Sequence, residues 1–200
     1  MKNIFALIVL ALIFTVSVAA QDSSDHKHMD MKNTHHDMKS MDKTQQEITR
    51  NIDPKTAASI KEIVGYYLQL KDALVNDKSK DAAAAGKEII DAFEKLDKNF
   101  LSPEQKELYV EVEEDAKEMA EHIGDNAGNI EHQREHFDML SADIYDLVKE
   151  FGGGQTLYKI YCSMYNDKKG AIWLSESKTI KNPYYGKKML TCGTVEEEIK

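Results

Sequence analysis

The chain has 200 residues, which is enough for one domain of ordinary size and leaves no room for two large enzyme domains. Its 35 acidic residues outnumber its 26 basic residues, and the formal net charge is −9. This balance argues against nucleic acid or an anionic membrane surface as a partner, and it is typical of a soluble protein that attracts cations.

Residues 1–20 predict a cleaved secretory signal. Lys2 supplies a positive start, residues 4–16 are apolar, and small residues precede Gln21. The apolar run is too short for a transmembrane helix, and no basic stop-transfer segment follows it. We therefore expect a periplasmic or otherwise exported protein that has no membrane attachment after cleavage. A retained N-terminal anchor is the alternative.

Residues 21–52 form a polar tract rich in histidine and methionine. The tract offers almost nothing apolar to bury, which predicts disorder. Imidazole suits Cu(II), nickel and zinc, whereas thioether sulfur suits Cu(I) and silver and stays usable in oxidising surroundings. A plain spacer is the alternative, because composition alone is a soft signal. The candidate metal ligands in the tract are His26, His28, Met29, Met31, His35, His36, Met38 and Met41.

From residue 53 onward, the spacing of apolar residues predicts four amphipathic helices of about five to six turns each. Asp53-Pro54 is a helix start signal, and so is Ser102-Pro103, where Gln105 is placed to close a capping box. The glycines at 152–154 predict a helix end. The apolar stripes run from Ile60 to Leu74, from Ala82 to Phe100, from Leu108 to Ile123 and from Ile130 to Phe151. Short connections between such helices predict an all-α domain over residues 53–200, built as an antiparallel four-helix bundle.

A small C-terminal extension is expected to follow this bundle. Residues 157–162 and 171–174 are short β-branched and aromatic runs, and residues 166–170 between them have turn chemistry, so we predict a hairpin. Residues 182–186 predict a further turn. Residues 189–199, at the end of the chain, are expected to form irregular structure that packs back against the domain.

Four sulfur-containing side chains in this extension form the sharpest candidate site. On a strand, Cys162 and Met164 share a face because they are two residues apart. Met189 and Cys192 share a face if their segment is a helical turn. Four sulfurs gathered in this way would select soft ions, chiefly Cu(I). The alternative is a Cys162–Cys192 disulfide with two core methionines, the default for two cysteines in an exported chain. Both interpretations hold if the thiols alternate between a disulfide and a metal-bound form.

The fourth predicted helix carries a second candidate. His132 and His136 are four residues apart and lie on one side of that helix, where the pair can ligate a metal. The alternative is an exposed His132 and a His136 at the rim of the core that hydrogen-bonds to a neighbour. His122 is expected to be a surface residue without a relevant neighbour.

Five short motifs in order resemble those of an uncharacterised family of exported bacterial helical domains. The motifs are His136-Phe137 with Leu140-Ser141, Tyr161-Cys162 with Met164, Gly170-Ala171 with Trp173-Leu174-Ser175, Asn182-Pro183-Tyr184-Tyr185-Gly186, and Met189-Leu190 with Cys192-Gly193. The resemblance covers roughly residues 54–199. Members of that family occur alone or fused to the periplasmic adaptor subunits of copper and silver efflux pumps.

This resemblance implies a helical periplasmic domain associated with heavy-metal handling. The positions that match the family are His136, Cys162, Met164, Met189 and Cys192. The chain departs from the family at Ser163, where members usually have proline. The departure affects the expected stiffness of the turn and leaves the candidate ligands in place.

The sequence therefore predicts a non-enzymatic, exported protein that binds copper or silver in detoxification, sequestration or delivery to an efflux system. The expected ligands are copper ions, Cu(I) or Cu(II), and no cofactor is expected to be covalently attached. The expected partner is a heavy-metal efflux adaptor or another metal-handling protein of the envelope. The chain lacks the motifs of a nucleophile elbow, haem attachment, a phosphate loop or a zinc protease. The alternatives are a disulfide-closed interaction module with no metal role and, more weakly, a redox or metal-dependent enzyme.

Overall fold

The computed structural model of the protein describes residues 52–200, which belong to one compact unit, Glu47–Lys200. The predicted leader and the eight candidate ligands of the polar tract lie outside the described residues. Four long helices come first: α1 is Pro54–Val75, α2 is Ser79–Glu94, α3 is Pro103–Asp125 and α4 is Ile130–Phe151. Three strands follow: β1 is Leu157–Cys162, β2 is Ala171–Ser175 and β3 is Thr194–Ile199. The protein is therefore mostly helical, with a small sheet at its C-terminus.

Helices α1 and α3 begin at the predicted start signals. The Asp53 side chain accepts a hydrogen bond of 2.8 Å from the amide of Lys55. The Gln105 amide donates to the Ser102 hydroxyl at 3.2 Å, and the Ser102 amide donates to the Gln105 side chain at 3.1 Å, which completes the predicted capping box. These bonds satisfy amide groups that the first turn of a helix leaves without partners. The start signals are confirmed.

The helices pack in chain order, with α1 against α2, α2 against α3 and α3 against α4, and α4 also contacts α1. Their apolar stripes form most of the core. The second stripe was predicted to reach Phe100, and this is wrong. Helix α2 ends at Glu94, a short 3₁₀ turn follows at Lys98–Phe100, and the Phe100 ring is 39% exposed. At the start of the third stripe Tyr109 is fully buried, while Leu108 is only partly buried.

The sheet has the order β2-β1-β3, with all neighbours antiparallel. The predicted hairpin of β1 and β2 is confirmed, and it sets Cys162 opposite Ala171. The end of the chain was expected to be irregular, but residues Thr194–Ile199 form a third strand beside β1. Exposed and partly buried residues alternate along this strand, which is the period of a half-buried edge strand.

Two buried polar side chains fasten this C-terminal region to the helices. The Tyr67 hydroxyl accepts from the amide of Leu174 at 3.0 Å and is 2.9 Å from the Ser141 hydroxyl, so it joins α1, α4 and β2. The Arg134 guanidinium donates to the carbonyls of Pro183 at 2.7 Å and Leu74 at 2.9 Å.

In residues 52–200, no helix has the length and apolar content needed to cross a membrane.

Candidate metal centre

Three histidines meet where α3 and α4 lie side by side. His122 belongs to the last turn of α3, and His132 and His136 lie in the first two turns of α4. The Asn126 side chain donates to the His122 carbonyl at 2.8 Å, and the Asn129 side chain accepts from the His132 amide at 3.4 Å. These caps hold both histidine-bearing turns in helical conformation across a short connection.

The side chains of this histidine triad, His122, His132 and His136, are close enough to share one metal ion. One ring nitrogen of each lies within 4.8 Å of the others. Nε2 of His136 is 3.1 Å from Nε2 of His132. A tetrahedral ion bound at its usual distance holds nitrogen ligands about 3.3 Å apart. The His132–His136 pair therefore already has the spacing of two ligands.

The third ring, that of His122, needs to turn before it can ligate. It is stacked on His136, with ring centroids 4.3 Å apart and an angle of 6° between the planes. An imidazole lone pair lies in the plane of its ring, so two stacked rings cannot both direct a lone pair at one ion. The rings of His132 and His136 meet at 74°, which allows convergence. The triad thus consists of one pair with ligand spacing and a third, exposed histidine that would have to turn before it could ligate.

A buried glutamine fixes the positions of the two histidine-bearing helices. The amide group of Gln133 donates to the carbonyl of Ile123 in α3 and to the carbonyl of Ser79 in α2, both at 3.0 Å. Its oxygen accepts from the Ser79 hydroxyl at 2.7 Å. Gln133 has no exposed surface and its bond to Ile123 lies away from water, so breaking these bonds is costly. They set the separation of His122 from His132 and His136.

The environment keeps His136 in the form that binds metals. Burial, reinforced by the neighbouring His122 and His132 rings, lowers the pKa of His136 to about 4. Its imidazole is therefore neutral at ordinary pH, and neutral imidazole is the ligating form. A carboxylate oxygen of Glu135 lies 3.4 Å from Nδ1 of His132. Carboxylates in this position commonly orient a metal-binding imidazole.

The two cysteines form a second cluster in the C-terminal region. Cys162 ends β1, Cys192 precedes β3, and their Sγ atoms lie 3.0 Å apart as free thiols. The hydrogen bond with Cys162, followed by partial burial, raises the pKa of the Cys192 thiol to about 11. The contact joins positions 30 residues apart in the sequence. A disulfide and a soft-ion site both remain predictions for this pair.

The methionines of the predicted sulfur site lie on the surface. Met164 is 47% exposed and Met189 is 36% exposed, so neither is the core residue that the disulfide alternative expected. Strand β1 ends at Cys162, and the prediction that Cys162 and Met164 share a strand face is therefore wrong. Met189 and Cys192 do belong to one turn, because the Cys192 amide donates to the Met189 carbonyl at 3.1 Å.

Two residues of the site, His122 and Met119, escaped the sequence-based prediction. His122 was expected to lack a relevant neighbour, and this is wrong, because it stacks on His136. Met119 was predicted only as part of an apolar stripe, and its Sδ lies 3.4 Å from Nδ1 of His136. Met119 and His122 are three residues apart on α3 and so lie on the same side of that helix. This spacing was the available signal, although the partner helix could not be inferred from it.

Residues 63–156 match the family model described as a protein of unknown function, DUF3347. The predicted resemblance to an uncharacterised family is confirmed over residues 63–156, and its extension to residue 199 and the association with efflux adaptors stay predictions. No curated protein and no solved structure matches the chain.

The DUF3347 match covers most of α1, all of α2 to α4 and the glycine-rich segment that follows α4, and it stops just before β1. The histidine triad lies inside the matched segment, together with Met119 and Gln133. The thiol pair lies beyond it. The two clusters therefore belong to different parts of the chain.

Proposed function

We propose that this protein is an exported binding protein for copper and silver ions that serves detoxification or delivery to an efflux system. One observation supports the proposal above the others: three imidazoles from two helices offer nitrogens within 4.8 Å of one another. Imidazole nitrogen is the commonest protein ligand of copper and zinc. The acidic balance of the chain favours the approach of cations.

The contacts around the triad fit a metal site better than a satisfied histidine cluster. A histidine at the rim of a core usually pairs with a carboxylate, a backbone carbonyl or water. His136 instead faces another imidazole on one edge and a thioether on the other. An ion between His132 and His136 would replace the 3.1 Å hydrogen bond between their Nε2 atoms with two coordinate bonds.

In the proposed working of the protein, the parts have different tasks. The polar tract of residues 21–52 collects ions through its eight histidines and methionines, and the triad holds one ion more tightly. The four helices form an antiparallel bundle that supports the triad. The recipient is a heavy-metal efflux adaptor or another envelope metal-handling protein. The protein is not an enzyme, and nucleic acid and membrane are not among its partners.

Copper titration of the purified protein tests this function. The chain has seven histidines, three in the triad and four in the tract, which supplies a matched pair of variants. One variant carries His132→Asn and His136→Asn, and the other carries asparagine at all four tract histidines. We expect the tightest Cu(II) equivalent to disappear in the triad variant and to persist in the tract variant. Unchanged binding in the triad variant would refute the proposal.

The thiol pair favours a second candidate, a disulfide-closed interaction module of the envelope. The observation behind it is the 3.0 Å separation of Cys162 and Cys192, because an oxidising compartment converts neighbouring thiols into a disulfide. Thiol labelling of the natively exported protein, with and without prior reduction, distinguishes the candidates. Complete oxidation together with the absence of copper by elemental analysis would support this module and count against the metal-binding function.

A further inference from the structure

We infer that the histidine triad is an all-nitrogen site for a divalent ion, Cu(II), because Met119 orients His136 and does not bind the ion. The inference rests on the proposed function and specifies which ion the triad takes. Its basis is the arrangement of contacts on the two edges of the His136 ring.

A thioether sulfur accepts hydrogen bonds and cannot donate one. Sδ of Met119 lies 3.4 Å from Nδ1 of His136, and a hydrogen bond between these atoms requires the ring proton to be on Nδ1. A neutral imidazole carries one ring proton, and the lone pair of His136 therefore lies on Nε2. That atom faces Nε2 of His132 at 3.1 Å. Met119 thereby selects the tautomer that directs a lone pair at the other histidine.

The same contacts exclude the sulfur from the coordination shell. An ion shared by His132 and His136 lies at the Nε2 edge of the His136 ring, and the sulfur lies at the Nδ1 edge. These edges face in different directions, whereas a sulfur ligand has to come within about 2.3 Å of the ion. Met119 is also 96% buried and packed in the core, so its sulfur is not free to swing around the ring.

The ion therefore meets imidazole nitrogen alone. Nitrogen ligands suit divalent ions, and Cu(II) binds such sites more strongly than zinc does, whereas Cu(I) and silver prefer sulfur. Orienting partners of ligating histidines are usually carboxylates or carbonyls, which also raise ligand basicity. A thioether orients the ring but raises the basicity of the imidazole very little. The triad therefore favours Cu(II) over Cu(I) and silver.

The test uses two substitutions of Met119 and one control. Met119→Leu keeps the volume and removes the acceptor, and Met119→Gln supplies an amide oxygen that accepts the same hydrogen bond. The control is Met139→Leu on the exposed side of α4. We expect Met119→Leu to weaken Cu(II) and Zn(II) binding about tenfold alike. Met119→Gln should restore the affinity, and Met139→Leu should leave it unchanged.

Two readouts separate failure of this inference from failure of the proposed function. The ¹⁵N chemical shifts of His136 in the metal-free wild-type protein report the tautomer without any metal, and we expect a protonated Nδ1. A protonated Nε2 would overturn the inference even if the triad binds copper. Titration with Ag(I) supplies the second readout. A loss of Ag(I) affinity in Met119→Leu with Cu(II) binding unchanged would mark the sulfur as a ligand and would overturn the inference too.

Discussion

Replacement of Tyr67 by phenylalanine isolates the hydrogen bonds that attach the sheet to the helices. The hydroxyl is fully buried and accepts from the amide of Leu174 at 3.0 Å. The change removes one oxygen and keeps the ring, whose stack on Phe137 at 5.3 Å is preserved. The Leu174 amide then remains buried without an acceptor. Ser141 loses one partner and keeps Tyr184 as another.

The cost of Tyr67→Phe follows from these partners. A buried donor without an acceptor costs about 1–3 kcal/mol, and the partly compensated Ser141 hydroxyl adds little. We expect the free energy of unfolding to fall by about 2 kcal/mol. Urea denaturation followed by the fluorescence of Trp173, the only tryptophan, measures this change. The control is Tyr66→Phe, because the Tyr66 hydroxyl makes no hydrogen bond among the described residues. Equal stability of the two variants would refute the reasoning.

Two further predictions concern pH and the support of the triad. Burial, together with the carboxyl groups of Asp115, Asp146 and Glu111, raises the pKa of Asp143 to about 7. The folded state then holds this proton more tightly than the unfolded state, so stability is highest below about pH 4 for this group and falls as pH rises towards 7. Asp143→Asn should raise stability at pH 8 by about 2 kcal/mol and have little effect at pH 4, and a pH-independent difference in urea denaturation would contradict this. Gln133→Leu leaves the buried Ile123 carbonyl without its Gln133 donor and the Ser79 hydroxyl without its Gln133 acceptor, and it should cost about 2 kcal/mol while weakening Cu(II) binding. A loss of stability with unchanged Cu(II) affinity would show that Gln133 does not position the triad.

The helices were predictable because their signals are local in the sequence. The apolar stripe of α1 and the capping box before α3 depend on residues within a few turns of one another. The prediction that the second stripe reaches Phe100 was wrong because the apolar spacing continues past Glu94, although helix α2 ends there. Helical periodicity tests which residues share a face and does not by itself mark where a helix ends.

The third strand and the position of Met164 were harder to predict from the sequence. Residues Asn166, Asp167 and Lys168 all adopt positive φ angles, and the chain leaves the strand direction after Cys162. Such turns depend on the closing hairpin as well as on local chemistry. Strand β3 is rich in glutamate and has few apolar residues, so its pairing with β1 is decided by tertiary contacts.

Only part of the triad could be predicted from the sequence. His132 and His136 are four apart on one helix, and this spacing predicts their contact. His122 and Met119 are likewise three apart on α3, but their nearness to α4 depends on how each helix is rotated about its own axis. Gln133 restricts that rotation, because its side chain in α4 donates to the Ile123 carbonyl in α3. In the proposed site the choice of ion would depend on the same rotation, because the rotation decides which edge of the His136 ring the Met119 sulfur contacts.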